Sequence, residues 1–105
     1  MSELLSPKIE LFAGHMHGLY CPGCKWMHHI AIDKPSGSGQ QWQWDGNVNM
    51  PTYSPSIMVQ FNKFCTEAVV CHSFIRNGQW EFLNDCTHEL AGQTVSMVDI
   101  PEEEL

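Results

Sequence analysis

A chain of 105 residues supports one domain with a thin core, since small domains bury a smaller share of their surface. Apolar residues at 43% against 16% charged exclude a disordered chain, and no apolar run approaches the ~18 residues that span a bilayer. Five basic residues against twelve acidic ones give −7, which excludes broad phosphate-backbone binding and disfavours an anionic membrane surface.

The first residues carry no basic stretch followed by an apolar one, so the sequence predicts a cytoplasmic protein. Residues 8–12 read as a short strand, and 14–18 as a turn or loose strand exposing His15 and His17. Cys21-Pro22-Gly23-Cys24 reads as a tight turn, with Pro22 fixing φ and Gly23 accepting a positive φ. Residues 27–32 follow as a strand, and Gly/Ser-rich 34–41 as a hairpin connection. Residues 41–44 alternate polar and aromatic side chains, the pattern of a half-buried strand that places Trp42 and Trp44 in the core or, as the alternative, makes them with Tyr53 the anchors of a recognition surface. Asp45-Gly46 supplies a turn, and Pro51 and Pro55 punctuate an extended segment before a strand at 57–61.

The strongest local signal is Asn77-Gly78 between strand-like runs at 69–75 and 80–83, which predicts a tight hairpin. Residues 85–92 read as one helical turn, capped by Asp85 or Thr87 and ended by Gly92. A last strand at 94–98 precedes an acidic tail, 99–105, that is expected to be solvated. The expected fold is mainly β: a small antiparallel sheet with a zinc-ribbon-like metal site and little helix, one domain over 1–98.

Five Cys and six His are the compositional anomaly. Without an export signal they point to metal more than to disulfides. Two thiolates separated by two residues, Cys21 and Cys24, bind one ion from a single turn, half of a tetrahedral zinc site. A redox reading of this motif prefers a helix after the first Cys, and a strand-like segment follows here instead. The preferred ligand set is Cys21, Cys24, Cys71 and Cys86 on Zn2+, with His72, His88 and His28 as alternates. Adjacent Cys71 and His72 point to opposite faces of a strand, so they are not expected to share an ion. Cys65 lacks a partner at ligand spacing and is expected to be free.

His72, Asp85 and His88 are the candidate catalytic residues, as polar groups expected near the metal. The zinc-deaminase pattern and the H-E-x-x-H motif are absent, and a nucleophilic Cys71 or Cys86 paired with His88 is not established by spacing.

Cys21-Pro22-Gly23-Cys24 with His28, the Trp44-Asp45-Gly46 and 51–56 blocks, and the long 71–95 block resemble a family of small, mostly phage-encoded proteins. The resemblance covers residues 21 to about 98, and its last block is the most specific. It implies a zinc-binding domain; a more distant group with a similar hairpin lies near bacterial ubiquitin-like conjugation genes. Members often carry the label ammonia monooxygenase, which this chain's lack of an apolar span and of an evident copper site sets aside. The expected function is binding or modulating a host or phage macromolecule, with a protein partner favoured by the acidic tail. The alternative is a small zinc-dependent hydrolase-like enzyme using His72, Asp85 or His88.

Overall fold

A computed structural model describes residues 3–12, 15–32, 41–63 and 67–104. Cys65 and the 34–40 connection lie outside the described residues. Two antiparallel sheets form, where the sequence predicts one. The first runs β1 (Glu3–Ser6), β2 (Ile9–Phe12), β3 (Met16–Cys21) and β4 (Trp26–Ala31), each strand paired with its sequence neighbour. The second runs β5 (Gln43–Trp44), β6 (Tyr53–Lys63), β7 (Glu67–Arg76), β8 (Gln79–Phe82) and β9 (Thr94–Ser96), again in sequence order. Trp42 links the two, its N–H donating to the Ala31 carbonyl at 2.7 Å.

Period-2 alternation decides which face each strand buries. Along β7, Cys71, Ser73 and Ile75 are buried, while His72 and Phe74 are only partly covered. On β8, Trp80 and Phe82 turn inward and their rings stack at 5.5 Å. These side chains meet Ile9, Leu19 and Ile30 of the first sheet in one core cluster. Trp42 and Trp44 pack against that cluster from its edge, partly buried.

The hairpin between β7 and β8 takes the expected form. Asn77 and Gly78 both have positive φ, 53° and 74°, as a two-residue type I′ turn requires. Its register pairs Arg76 with Gln79 and Ile75 with Trp80.

Three local expectations are corrected. His17, expected at the surface, is only 3% exposed and lies on β3. Its Nδ1 is 2.8 Å from the Tyr53 hydroxyl, which satisfies both buried groups and ties the sheets together. Residues 85–92 form turns instead of a helix, because the Thr87 N–H donates to the Val70 carbonyl of β7 rather than along the segment. The one described helix is a 3-10 turn at Glu102–Glu104. The tail is also less solvated than its charge suggests. Ile100 is 6% exposed and its N–H donates to the Pro7 carbonyl at 2.9 Å, although Glu102, Glu103 and Glu104 remain exposed.

Candidate active site and candidate metal centre

Strand β7 carries one group of reactive side chains on each face. Cys71 points into the core and His72 away from it, as the two-residue period demands. The two faces therefore have separate chemistry.

On the outer face, Ser56, His72 and Asp85 form a hydrogen-bonded relay. Ser56 Oγ is 3.2 Å from His72 Nε2, and His72 Nδ1 is 3.1 Å from Asp85 Oδ2. A carboxylate only accepts, so Nδ1 carries the proton and donates to Asp85. This leaves the Nε2 lone pair facing the Ser56 hydroxyl. The order is nucleophile, base and orienting acid, the arrangement that lets a serine attack an acyl carbon. His72 is three-quarters covered, whereas the Asp85 side chain is 52% exposed.

Ser56 reaches this position through an irregularity in β6. Tyr53 faces Ile75 and Ile57 faces Ser73, so β6 takes four steps where β7 takes two. The extra residues include Ser54 and Pro55, joined by a cis peptide, and Ser56 itself. Bulges of this kind re-aim side chains near reactive sites. Past the bulge Met58 faces His72, and Ser56, two residues earlier, is the diagonal neighbour on the same face. The Trp42 indole N–H donates to the Ser56 carbonyl at 3.3 Å and holds the bulge from the side.

Asp85 comes from the segment after β8. Once β8 ends, the His72 amide and carbonyl need new partners, since buried backbone groups are rarely left unpaired. Leu83 N–H donates to the His72 carbonyl at 2.9 Å. The Cys86 thiol accepts the His72 N–H and donates to the His72 carbonyl, both at 3.2 Å. Thr87 then bonds Val70 through its N–H and its hydroxyl. The segment 83–87 is thus strapped along β7 with Asp85 opposite the imidazole.

On the inner face, Cys21, Cys24, Cys71 and His88 offer ligand atoms that all lie within 4.8 Å of one another. Cys21 ends β3, Cys24 follows in the same turn, and the Cys24 N–H donates to the Cys21 sulfur at 3.3 Å. Cys21 and Cys71 sulfurs are 3.8 Å apart. Two thiolates on a tetrahedral zinc, with bonds of about 2.3 Å, stand about 3.8 Å apart, so the spacing fits a metal and not a disulfide. All four described cysteines are free thiols.

The electrostatics of the group point the same way. The Cys21 thiol is held far below its ordinary range, chiefly by hydrogen bonds from Cys24 and then from Cys71. The same pairing with Cys21 pushes Cys24 up to about 12. Cys71 is pushed well up by its bonds to Cys21 and Cys24, with burial adding to the effect. One sulfur takes the charge while its two neighbours keep their protons; a bound cation would displace those two protons and leave three thiolates. His88 Nδ1 accepts from the Leu90 N–H at 3.2 Å, and His88 Nε2 is buried without a hydrogen-bond partner.

Gly23 has a different role from the one its sequence context suggests. Positive φ in this turn falls on Lys25, at 60°, and not on Gly23. The His88 ring lies so close to Gly23 that an added Cβ would overlap it. Gly23→Ala is therefore expected to displace His88, lower the melting temperature and weaken metal retention. Elemental analysis after dialysis, beside a thermal melt, checks this; unchanged values for both contradict the close approach.

Of the expected ligands, Cys21, Cys24 and Cys71 come together, and His88, named as an alternate, stands in the fourth place. Cys86 lies outside this group because its thiol is engaged with the His72 backbone. His28 is buried beside Cys21, edge-on to Trp80 at 6.1 Å, and also lies outside the group. Among the catalytic candidates, His72 and Asp85 meet on the outer face, and His88 is separated from them on the inner one. Ser56 was missed by sequence reasoning. The available signal was its place between two punctuating prolines and a strand, where a bulge is needed to change direction.

The fold and site define a two-sheet β protein with a Ser–His–Asp relay on one face of β7 and a Cys3His group on the other. A family model described as bacterial ubiquitination-like system serine protease (BubE) matches residues 4–83, and the chain belongs to this family. The matched span includes Ser56 and His72, while Asp85 and His88 follow its end. No curated protein and no solved structure matches the chain. No helix among the described residues is long and apolar enough to cross a membrane.

Proposed function

We propose that this protein is a serine hydrolase that cleaves an acyl bond in a protein belonging to a bacterial ubiquitination-like system. The observation that carries the reading is the continuous relay from Ser56 through His72 to Asp85. The family description supports both the reaction class and the protein substrate.

Ser56 Oγ attacks the acyl carbon as its proton passes to His72 Nε2. Asp85 accepts the Nδ1–H throughout, holding the ring in the productive tautomer and stabilising the imidazolium that forms. His72 then returns the proton to the departing amine or alkoxide, leaving Ser56 acylated. Water, deprotonated by the same nitrogen, releases the acid and restores the hydroxyl. The relay faces outward from an open sheet, so a docked substrate would cover the half-exposed Asp85 and strengthen its pairing with His72.

Cys21, Cys24, Cys71 and His88 are the residues that would hold a zinc ion in this reading. Four protein ligands leave no open position, which suits a structural site, and zinc there supplies cross-linking between β3, β7 and the 83–88 segment. The zinc-dependent enzyme expected as an alternative is disfavoured because His72 and Asp85 face away from the metal group. The relay likewise favours catalysis over the binding role expected from the acidic tail.

An activated aryl ester tests the proposal. Purified protein is expected to show a stoichiometric burst of the leaving group and then slow turnover, the kinetic mark of an acyl-enzyme. Absence of both burst and turnover would contradict it.

A further inference from the structure

The relay depends on Asp85, and Asp85 depends on how its segment is held. Asp85 is half exposed, and its carboxylate accepts from His72 Nδ1. Its neighbour Cys86 is buried, and the Cys86 thiol makes two bonds to the backbone of the very residue whose imidazole Asp85 must meet. A thiol that accepts from an amide and donates to the carbonyl of one residue acts as a two-point clasp. Residues adjacent in the chain, Asp85 and Cys86, thereby grip the side chain and the main chain of His72 together.

Resting on the proposed hydrolase reading, we infer that Cys86 is a positioning residue for the relay, fixing the distance between Asp85 and the His72 imidazole. Cys86 does not touch the reacting atoms. It acts through His72, and its chemistry requires a group that both donates and accepts.

Other contacts keep the fold when the clasp is lost. The bonds of Leu83 to His72 and of Thr87 to Val70 remain, as does His88 in the inner group. Removing the thiol therefore loosens Asp85 while leaving the segment attached at both ends. An orienting group that drifts by about 1 Å can cost about 10²-fold in rate.

Cys86→Ala and Cys86→Ser in the full chain test the inference, each prepared with its bound metal. Cys86→Ala is expected to lower kcat on the aryl ester about 10²-fold with KM unchanged. It should also lose the far-downfield proton resonance of the His72 Nδ1–H bonded to Asp85. Cys86→Ser, whose hydroxyl also donates and accepts, is expected to restore the resonance and return kcat to within about tenfold of the parent. In a Cys86→Ala/Asp85→Asn double variant the two losses should not multiply. Should Cys86→Ala fail to fold, Cys86→Val fills the space without the clasp and is read in the same way.

Retention of both kcat and the resonance in the Ala or Val variant would overturn the inference. Stoichiometric loss of metal in those variants would overturn it too, by making Cys86 a ligand. The resonance reports the His72–Asp85 contact whether or not the protein hydrolyses esters. A normal Ser56→Ala rate therefore counts against the hydrolase reading, and an unperturbed resonance against Cys86.

Discussion

Ser56→Ala is expected to lower kcat by about 10⁴- to 10⁶-fold while leaving the melting temperature within a few degrees of the parent. The rate effect is large because in the proposed reaction this hydroxyl forms the acyl intermediate. The stability effect is small because Ser56 loses one side-chain hydrogen bond, to His72, worth about 0.5–1.5 kcal/mol. Asp85→Asn should cost about 10⁴-fold, since an amide can donate to Nδ1 and favour the wrong tautomer. The two losses should not multiply, because Asp85 acts only through His72 on Ser56. Ester kinetics on the single and double variants check this. A Ser56→Ala protein within tenfold of the parent would remove Ser56 from the mechanism.

Cys24→Ser is expected to unfold the chain or to lower its melting temperature steeply. Zinc binding in finger peptides is worth about 10–16 kcal/mol, against about 5–15 kcal/mol for the whole stability of a domain. A bound ion would join residues 21 and 24 to 71 and 88 and so close long loops whose entropy otherwise opposes folding. Losing one of four ligands weakens that closure in a chain of only 105 residues with a thin core. Cys86→Ser, outside the group, should keep its metal. Thermal unfolding with elemental analysis separates the two variants; an unchanged melting temperature in Cys24→Ser would make the metal peripheral.

Strand periodicity and turn chemistry are local, so most of the β structure was legible. Asn77-Gly78 specified its hairpin, and the alternation through Cys71 and His72 correctly assigned them to opposite faces. Division into two sheets was not legible, because β1 is short and His17 resembles a surface residue until Tyr53 pairs with it. For the metal group, the Cys21–Cys24 spacing announced half of the site. The choice between Cys86 and His88 turned on backbone bonding at His72, which spacing does not encode. The relay was harder still. Ser56 lies 16 residues before His72 and meets it only through a β6 bulge, while Asp85 arrives from another strand's end. His72 and Asp85 were candidates as polar groups beside the metal, and the structure places them on the face of β7 opposite Cys71.

The most direct test of the account is covalent labelling with a fluorophosphonate, which reacts with a serine only when a neighbouring base activates it. A single phosphonyl adduct per chain is expected, mapped by mass spectrometry to Ser56, absent in Ser56→Ala and strongly slowed in His72→Ala. Folded protein with its metal bound that takes no label, or takes it at a residue other than Ser56, would contradict the account.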